Sequence, residues 1–412
     1  MSVIRAFRAV RPTPEYAAAV AELPYDVMNS DEARAEVAGQ PWNFLHVDKA
    51  EVDLPPEVDL YDDRVYAKAR ENLDRLVSAG VCVEDDKPCL YLYRQIMGDR
   101  TQTGIVGCAS VDDYLNDVIK KHELTRADKE RDRIRHVDAC DANTGPIFLT
   151  YRGNDAIRAI TAKYLAKTPA CDFVKHDVRN TVWVIGDDAD IAALVAAFEA
   201  VPSLYIADGH HRAASAAHVG QMRRQQFPDA PADAPFNYFL AVYFDAAELS
   251  IMDYNRVIRD LNGHTPDALL NALGAVMDVT AVGAEAYRPT EKHTFGMLLD
   301  GVWYALRAKP GTFDEADPVA GLDVSILQKN VIGPIFGIDD PRTDKRIDFV
   351  GGIRGLGELE RRCGADMRVA FSMYPTTLDD LMSIADAGKI MPPKSTWFEP
   401  KLLSGLFIHK LS

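Results

Sequence analysis

The chain has 412 residues, 47% hydrophobic and 26% charged, with a formal net charge of −16 and a pI near 5.1. At ~100–200 residues per domain, that length argues for two or three globular units. The acidic balance opposes non-specific attachment to nucleic acid, where Lys and Arg supply most of the affinity, and no window approaches the ~18 consecutive apolar residues of a membrane span.

Arg5 and Arg8 break the apolar run at the start, so a signal peptide is not expected. Cys82, Cys89, Cys108, Cys140, Cys171 and Cys363 are scattered, with no C-x-x-C pair and no zinc spacing. A cytoplasmic protein without disulfides fits this usage.

In chain order, residues 62–78 place Val65, Ala69, Leu73, Leu76 and Val77 at helical spacing, with Gly80 beyond as a stop. Residues 89–93 read as a strand. From about residue 111 a helix is expected to carry Tyr114, Leu115, Val118 and Ile119 and lead into the charged stretch 120–138, whose mixed signs suit a solvated helix face. Asn154 can cap a helix over 156–166. A buried strand at 181–185, a helix at 188–200, a strand at 204–207 and an Ala-rich helix from 213 give a β-α-β-α order. In such layers ligands gather beyond the carboxyl ends of strands.

Residues 225–235 form a surface loop, and 237–244 are the longest apolar strand candidate. Thr265-Pro266-Asp267 starts a helix that continues over 268–277. Asp300-Gly301, between apolar runs at 295–299 and 302–306, has the form of a tight hairpin. Residues 367–373 and 378–387 give another strand and helix, and there is no solenoid repeat or low-complexity tract. The expected class is mixed α/β or α+β, divided into an N-terminal α/β region (1–110), a motif-bearing α/β domain (111–235) and a C-terminal α+β region (236–412).

The densest chemistry lies in Asp208-Gly209-His210-His211-Arg212, at the end of the apolar run that includes Leu204, Tyr205, Ile206 and Ala207. A strand turning directly into a helix points the first helical N–H groups out of the turn, where an anion meets partial positive charge. Gly209 permits close approach or positive φ, and Arg212 offers a planar fork for phosphate or carboxylate. A lone surface His-His pair usually does nothing, but two imidazoles, a carboxylate and a guanidinium at one corner suggest phosphate binding. The spacing is wrong for the i, i+4 histidines of a zinc helix.

Other candidates stand further off. Lys121-His122-Glu123 offers a carboxylate for a general base and a Lys for a transferring phosphoryl group. Asn143-Thr144-Gly145-Pro146 is either a ligand-orienting loop or a turn, and Tyr25-Asp26 is comparable. Asp348 to Gly355, including Arg354, has glycines suited to phosphate approach but is not a Walker A loop. Lys394-Ser395-Thr396 offers a cation and two hydroxyls after Pro392-Pro393.

These motifs together resemble the bacterial domain-of-unknown-function family 1015. The likeness runs from Leu23-Pro24-Tyr25-Asp26-Val27 and Trp42-Asn43-Phe44-Leu45-His46-Val47 through Lys121-His122-Glu123-Leu124-Thr125, Asn143-Thr144-Gly145-Pro146-Ile147-Phe148 and Asp208-Gly209-His210-His211-Arg212. It continues in Tyr254-Asn255-Arg256-Val257 and Met391-Pro392-Pro393-Lys394-Ser395-Thr396-Trp397-Phe398. The corner motif is also distantly similar to the ParB/sulfiredoxin superfamily, which includes free-serine kinases. Sulfiredoxin-like members carry Cys where this chain has His210, so a thiol mechanism is not expected.

The resemblance implies a ParB/sulfiredoxin-like element and a small-molecule phosphotransferase, most concretely a free L-serine kinase that forms O-phosphoserine with Mg²⁺ and ATP, ADP or pyrophosphate. In that reading Gly209, Arg212 and the helix N-terminus hold donor phosphates, with Lys121, His122, Asn143, Arg354, Lys394, Ser395 and Thr396 as further binding candidates. His210 and His211 add hydrogen bonds or positive charge, Asp208 positions Mg²⁺ or the acceptor, and Glu123 takes the hydroxyl proton. Glu123 is therefore expected beside His210 in space. The alternatives are a ParB-like nucleotide-binding module without turnover and a phosphoester hydrolase. Neither nucleic acid nor a membrane is expected as partner.

Overall fold

The computed structural model describes residues 1–412, and its contacts fall into two units: residues 1–249 with 400–412, and residues 250–399. The chain is mixed α/β, as the alternation of patterns implies. The boundaries expected at 110/111 and 235/236 do not coincide with this division. The physical reason is one sheet, which draws strands from both sides of each boundary.

That nine-stranded sheet of the first unit runs in the order Ile119–Lys120, Leu204–Asp208, Ile147–Tyr151, Tyr238–Asp245, Arg100–Ser110, Leu90–Met97, Val178–Ile185 and Cys171–Lys175, with Ile4–Arg5 also paired to Arg100–Ser110. Its middle strands are almost wholly buried, which explains their continuous apolar sequence: Leu240, Ala241, Val242 and Phe244 are fully inaccessible. One core joins Leu92, Ile105, Leu149, Phe198, Ile206 and Phe239. A second is built by Phe44, Val47, Ala69, Leu73 and Leu76 around the helix Asp63–Ser78, which Asp62 caps.

Several helix starts follow from their caps. Asn154 accepts from the N–H groups of Ala156 and Ile157 at the head of Asp155–Leu165, and Asp187 does the same for Asp188–Glu199. One expectation fails here. The helix from Val111 ends at Leu115, Asp117 takes a positive φ of 58°, and Ile119 enters an edge strand instead. Ile119 pairs with Leu204, so sheet pairing overrides its helical spacing. The charged stretch begins its helix only at Ala127–Cys140, leaving 121–126 outside any helix or strand.

Residues 250–399 hold a six-stranded antiparallel sheet in the order Met277–Gly283, Val302–Ala308, Thr294–Leu299, Val369–Met373, Tyr254–Ile258, Ile347–Gly351. The Asp300-Gly301 hairpin forms as expected, with φ of 51° and 78° and Leu299 opposite Val302. Thr265 caps Pro266–Val276, and Trp303, Val257, Leu298, Leu359 and Ala370 share a core. No helix of either unit is long and apolar enough to cross a membrane.

Candidate functional site

Strand Leu204–Asp208 carries four buried side chains and then delivers Asp208 to the corner. Against Ile147–Tyr151 its register slips between Ile206 and Asp208, a bulge that re-aims the terminal carboxylate. Gly209 follows at φ 89°, and the helix His210–Gln226 starts with no side-chain cap. A residue with a Cβ resists that φ, so glycine is what allows the strand to enter the helix without a spacer. The first-turn N–H groups of His210, His211 and Arg212 have no intrahelical acceptors, which is the anion-receptive geometry expected from sequence.

The edge strand Ile119–Lys120 lies parallel to Leu204–Tyr205. Parallel neighbours end on the same side of the sheet, so Lys121-His122-Glu123 arrives beside the corner. His210 Nδ1 lies 3.8 Å from Glu123 Oε2, and the His122 N–H points at His210 Nε2 across 3.5 Å. The two rings meet edge to face, with centroids 4.4 Å apart and planes at 85°. His122 is only 2% exposed and His210 5%. Neither ring nitrogen of His122 has a partner in hydrogen-bond geometry. The Glu123 side chain, by contrast, is half exposed.

Burial disfavours the charged imidazole. It takes His122 down to about 4, against weaker pulls from Asp208 and the Ile206 backbone, and takes His210 well below the usual histidine range, with His122 and His211 adding to the effect. His211 is also lowered, first by burial, and its Nε2 accepts from the Arg126 N–H at 3.0 Å. All three rings are neutral at pH 7. They supply lone pairs and N–H donors to the corner rather than charge.

Asp208, the expected Mg²⁺ ligand, is engaged otherwise. Its Oδ2 receives Lys401 Nζ at 2.8 Å and its Oδ1 the Gly209 N–H at 2.8 Å. Burial pushes the Asp208 carboxyl up, but Lys401, the Gly209 N–H and Arg212 outweigh it and hold it low. Nothing in the sequence singles out Lys401. It sits just past the Met391 to Phe398 motif, on the segment 400–412 that returns to this unit.

Arg212, expected to offer its fork to phosphate, is largely committed elsewhere. Its Nη2 lies 3.3 Å from Asp48 Oδ2 and donates to Ser404 Oγ at 3.1 Å. The guanidinium lies so close over Gly145 that a Cβ there would stand 1.5 Å from Nη1. Asp48 is 3% exposed and also accepts from Thr144 Oγ1 at 2.8 Å. Burial raises its carboxyl, and Arg212, His136 and Arg133 more than reverse this, so it stays ionised. Tyr25 lies between the two guanidinium groups, 4.1 Å from Arg133 and 5.3 Å from Arg212, and burial pushes its phenol up to about 12. Asp48, Arg133, Asn143, Gly145 and Arg212 line a pocket of about 20 Å³, room for one water. Sequence spacing could not reveal this network, since Asp48 and Arg212 are 164 positions apart.

Other expected residues have different employment. The Lys121 ammonium sits 4.4 Å from the Tyr114 ring and 3.7 Å from Asp117. Asn143 is buried, and its Oδ1 accepts from the Leu240 N–H at 3.2 Å, a sheet-holding contact. Arg354, Lys394, Ser395 and Thr396 belong to residues 250–399. There Arg354 is exposed, the Ser395 hydroxyl donates to Pro392 O at 2.6 Å, and Lys394 Nζ lies 5.5 Å from the Tyr254 ring. Gly351 and Gly352 serve packing, whereas Gly355, at a φ of 69°, has open space where a Cβ would stand. A Cβ at Gly351 would meet Trp397 at 2.7 Å, and one at Gly352 would meet Asp253 at 2.4 Å.

The donor atoms of His122, Glu123 and His210 lie within 4.8 Å of one another. Mg²⁺ prefers an octahedron of oxygens, mostly water and phosphate. Two imidazoles and one carboxylate do not fit it as a resident ion.

The family profile described as "Protein of unknown function (DUF1015)" matches residues 4–325. The chain belongs to this family. No curated protein matches it. Among solved structures, a free serine kinase in complex with AMP is 14% identical, covering 74% of this chain and 89% of that one, with a TM-score of 0.35. SbnI from Staphylococcus aureus, truncated at its C-terminus, is 12% identical over 73% of this chain and 85% of its own, at 0.37. A conserved hypothetical protein from Pyrococcus furiosus is 14% identical over 74% and 93%, at 0.34. At these scores the likeness carries no argument about what this DUF1015 member binds or does.

Proposed function

We propose that this DUF1015 protein is a small-molecule phosphotransferase with an alcohol acceptor, and that the acceptor is free L-serine, giving O-phosphoserine. The observation that carries the reading is the meeting of Glu123 with the uncapped helix start at His210. Donor phosphates dock against the N–H groups of residues 210–212, and His211 and Lys401 flank them. Glu123 accepts the acceptor's hydroxyl proton as that oxygen forms its bond to the terminal phosphorus, and the bond from phosphorus to the donor's bridging oxygen breaks. Phosphoryl transfer asks the protein mainly for positioning and charge neutralisation. Arg212 contributes by holding the turn against Asp48, not by gripping phosphate. ATP, ADP and pyrophosphate are the candidate donors, each with Mg²⁺ as part of the substrate.

The test is phosphorus NMR of the protein incubated with Mg²⁺, each donor, and a panel of amino acids and polyols. A new phosphomonoester with serine supports the reading. Orthophosphate alone supports a metal-assisted phosphoester hydrolase, which the imidazole-rich donor set favours as a second reading. Bound donor with no product at all indicates a ParB-like binding module and sinks both.

A further inference from the structure

We propose that His122, Glu123 and His210 form a binding site for one first-row divalent transition-metal ion, of the zinc kind, in preference to magnesium. Three donors from two separate elements converge with their ligand atoms within 4.8 Å of one another. Ligands of a tetrahedral zinc at ~2.0–2.2 Å stand about 3.4 Å apart. Side-chain rotation closes the difference, and the half-exposed Glu123 has solvent on one side to turn through.

The second observation is His122 itself. Both of its ring nitrogens are buried and lack partners in hydrogen-bond geometry. Leaving buried polar atoms unmatched is costly, and native proteins rarely tolerate it without a reason. His122 is packed against the His210 ring, so an ion bridging the two rings would satisfy a nitrogen left unmatched by the protein. Imidazole nitrogens suit zinc, copper, iron or nickel rather than magnesium, and one carboxylate beside them is a common third ligand. The exposed side of Glu123 leaves room for water or a substrate oxygen.

A second cluster shows what a closed alternative looks like. Glu22, Glu36 and His176 also have donor atoms within 4.8 Å of one another, yet Lys175 Nζ already stands 2.9 Å from Glu22 and Asn43 donates to it at 2.7 Å. There an ammonium holds the position a metal would take. At the His122 cluster two imidazole rings stand with the carboxylate, His210 Nδ1 at 3.8 Å from Glu123 Oε2 and the His122 ring against that of His210.

The metal inference does not rest on the phosphotransferase reading, and the experiment keeps them apart by measuring binding without turnover. Untagged full-length protein, stripped with chelator and dialysed, is titrated calorimetrically with Zn²⁺, Mn²⁺, Co²⁺ and Mg²⁺. Metal content is read by mass spectrometry and the Co²⁺ spectrum is recorded. One equivalent of Zn²⁺ should bind at least tenfold more tightly than Mg²⁺, with Co²⁺ bands characteristic of nitrogen ligation. Glu123→Gln and His210→Ala should each weaken binding at least tenfold. Glu123→Gln alters a half-exposed group and so tests the site even if His210→Ala unfolds. Binding that is absent, equally tight for Mg²⁺, or unchanged in Glu123→Gln overturns the assignment.

Discussion

Removing the Arg212 side chain tests what that residue is for. Were it an exposed phosphate ligand, Arg212→Ala would cost turnover and leave stability alone. The structure predicts a stability effect, because Asp48 is buried and Arg212 is its largest stabilising charge. Breaking a buried ion pair from one side costs ~3–5 kcal/mol, since the remaining charge has no water to turn to. Arg133, Thr144 and Ser404 stay near Asp48, which favours the lower end, about 3 kcal/mol. At ~2–4 °C per kcal/mol for a domain of this size, the transition of the first unit should fall by roughly 6–12 °C.

Differential scanning calorimetry of wild type, Arg212→Ala and Asp48→Asn/Arg212→Met reads this, and the neutralised pair should recover much of the loss. The pH dependence has a defined sign. The Asp48 carboxyl is held below its ordinary value, so its contribution is fully present above about pH 4 and is lost as pH falls through the folded-state value. An Arg212→Ala melting point within about 1 °C of wild type, with turnover abolished, would refute the structural role and restore the phosphate fork.

Glu123→Gln keeps shape and removes basicity, so phosphoryl transfer should fall ~10²–10⁴-fold while calorimetric donor binding persists; unchanged turnover would move the base elsewhere. Gly209→Ala meets no close atom, the nearest being Ile147 Cα at 3.7 Å, so its cost is that of the φ of 89° alone, about 1–2 kcal/mol in a urea titration. A larger loss would mean that the turn tolerates no relaxation. Glu22 is drawn to about 2 from 4.5, where burial is opposed by His176 and Lys175, so its stabilisation is present above pH 4.5 and disappears toward pH 2. His176 is raised by Glu22, so the same contact adds stability below about pH 6.5 that is lost as pH rises through its folded value. Urea midpoints should therefore decline more steeply on the acid side for wild type than for Glu22→Gln, and parallel curves would exclude the linkage.

The corner is legible because its signals are local. Four apolar residues, an Asp-Gly and an Ala-rich run leave little choice but strand, turn and helix, and the need of an alcohol for a base leads to Glu123, which does lie beside His210. Val118 and Ile119 have helical spacing but are too few to outweigh pairing with Leu204. The hairpin joining Cys171–Lys175 to Val178–Ile185 turns at His176 and Asp177, with φ of 48° and 59°. Its mirror-image turn usually advertises itself by Asn-Gly or Asp-Gly, and His-Asp carries no such mark. Asp48, Arg133, His136 and Ser404 meet only in three dimensions, and no periodicity records a partner so far along the chain.

The return of residues 400–412 to the first unit has a kinetic consequence. Lys401 reaches Asp208, Ser404 reaches Arg212, and Ile408 exchanges backbone hydrogen bonds with Val10 only after the whole of 250–399 has been made. At ~5–20 residues per second a ribosome needs roughly 8–30 s for that interval. During it the first unit waits with the Asp208 corner lacking its lysine and the surface later covered by Phe407 open to water. Nascent chains are thus kept incomplete at this corner by the order of synthesis, and a cell that stalls or cleaves them within 250–399 releases a product that cannot close it.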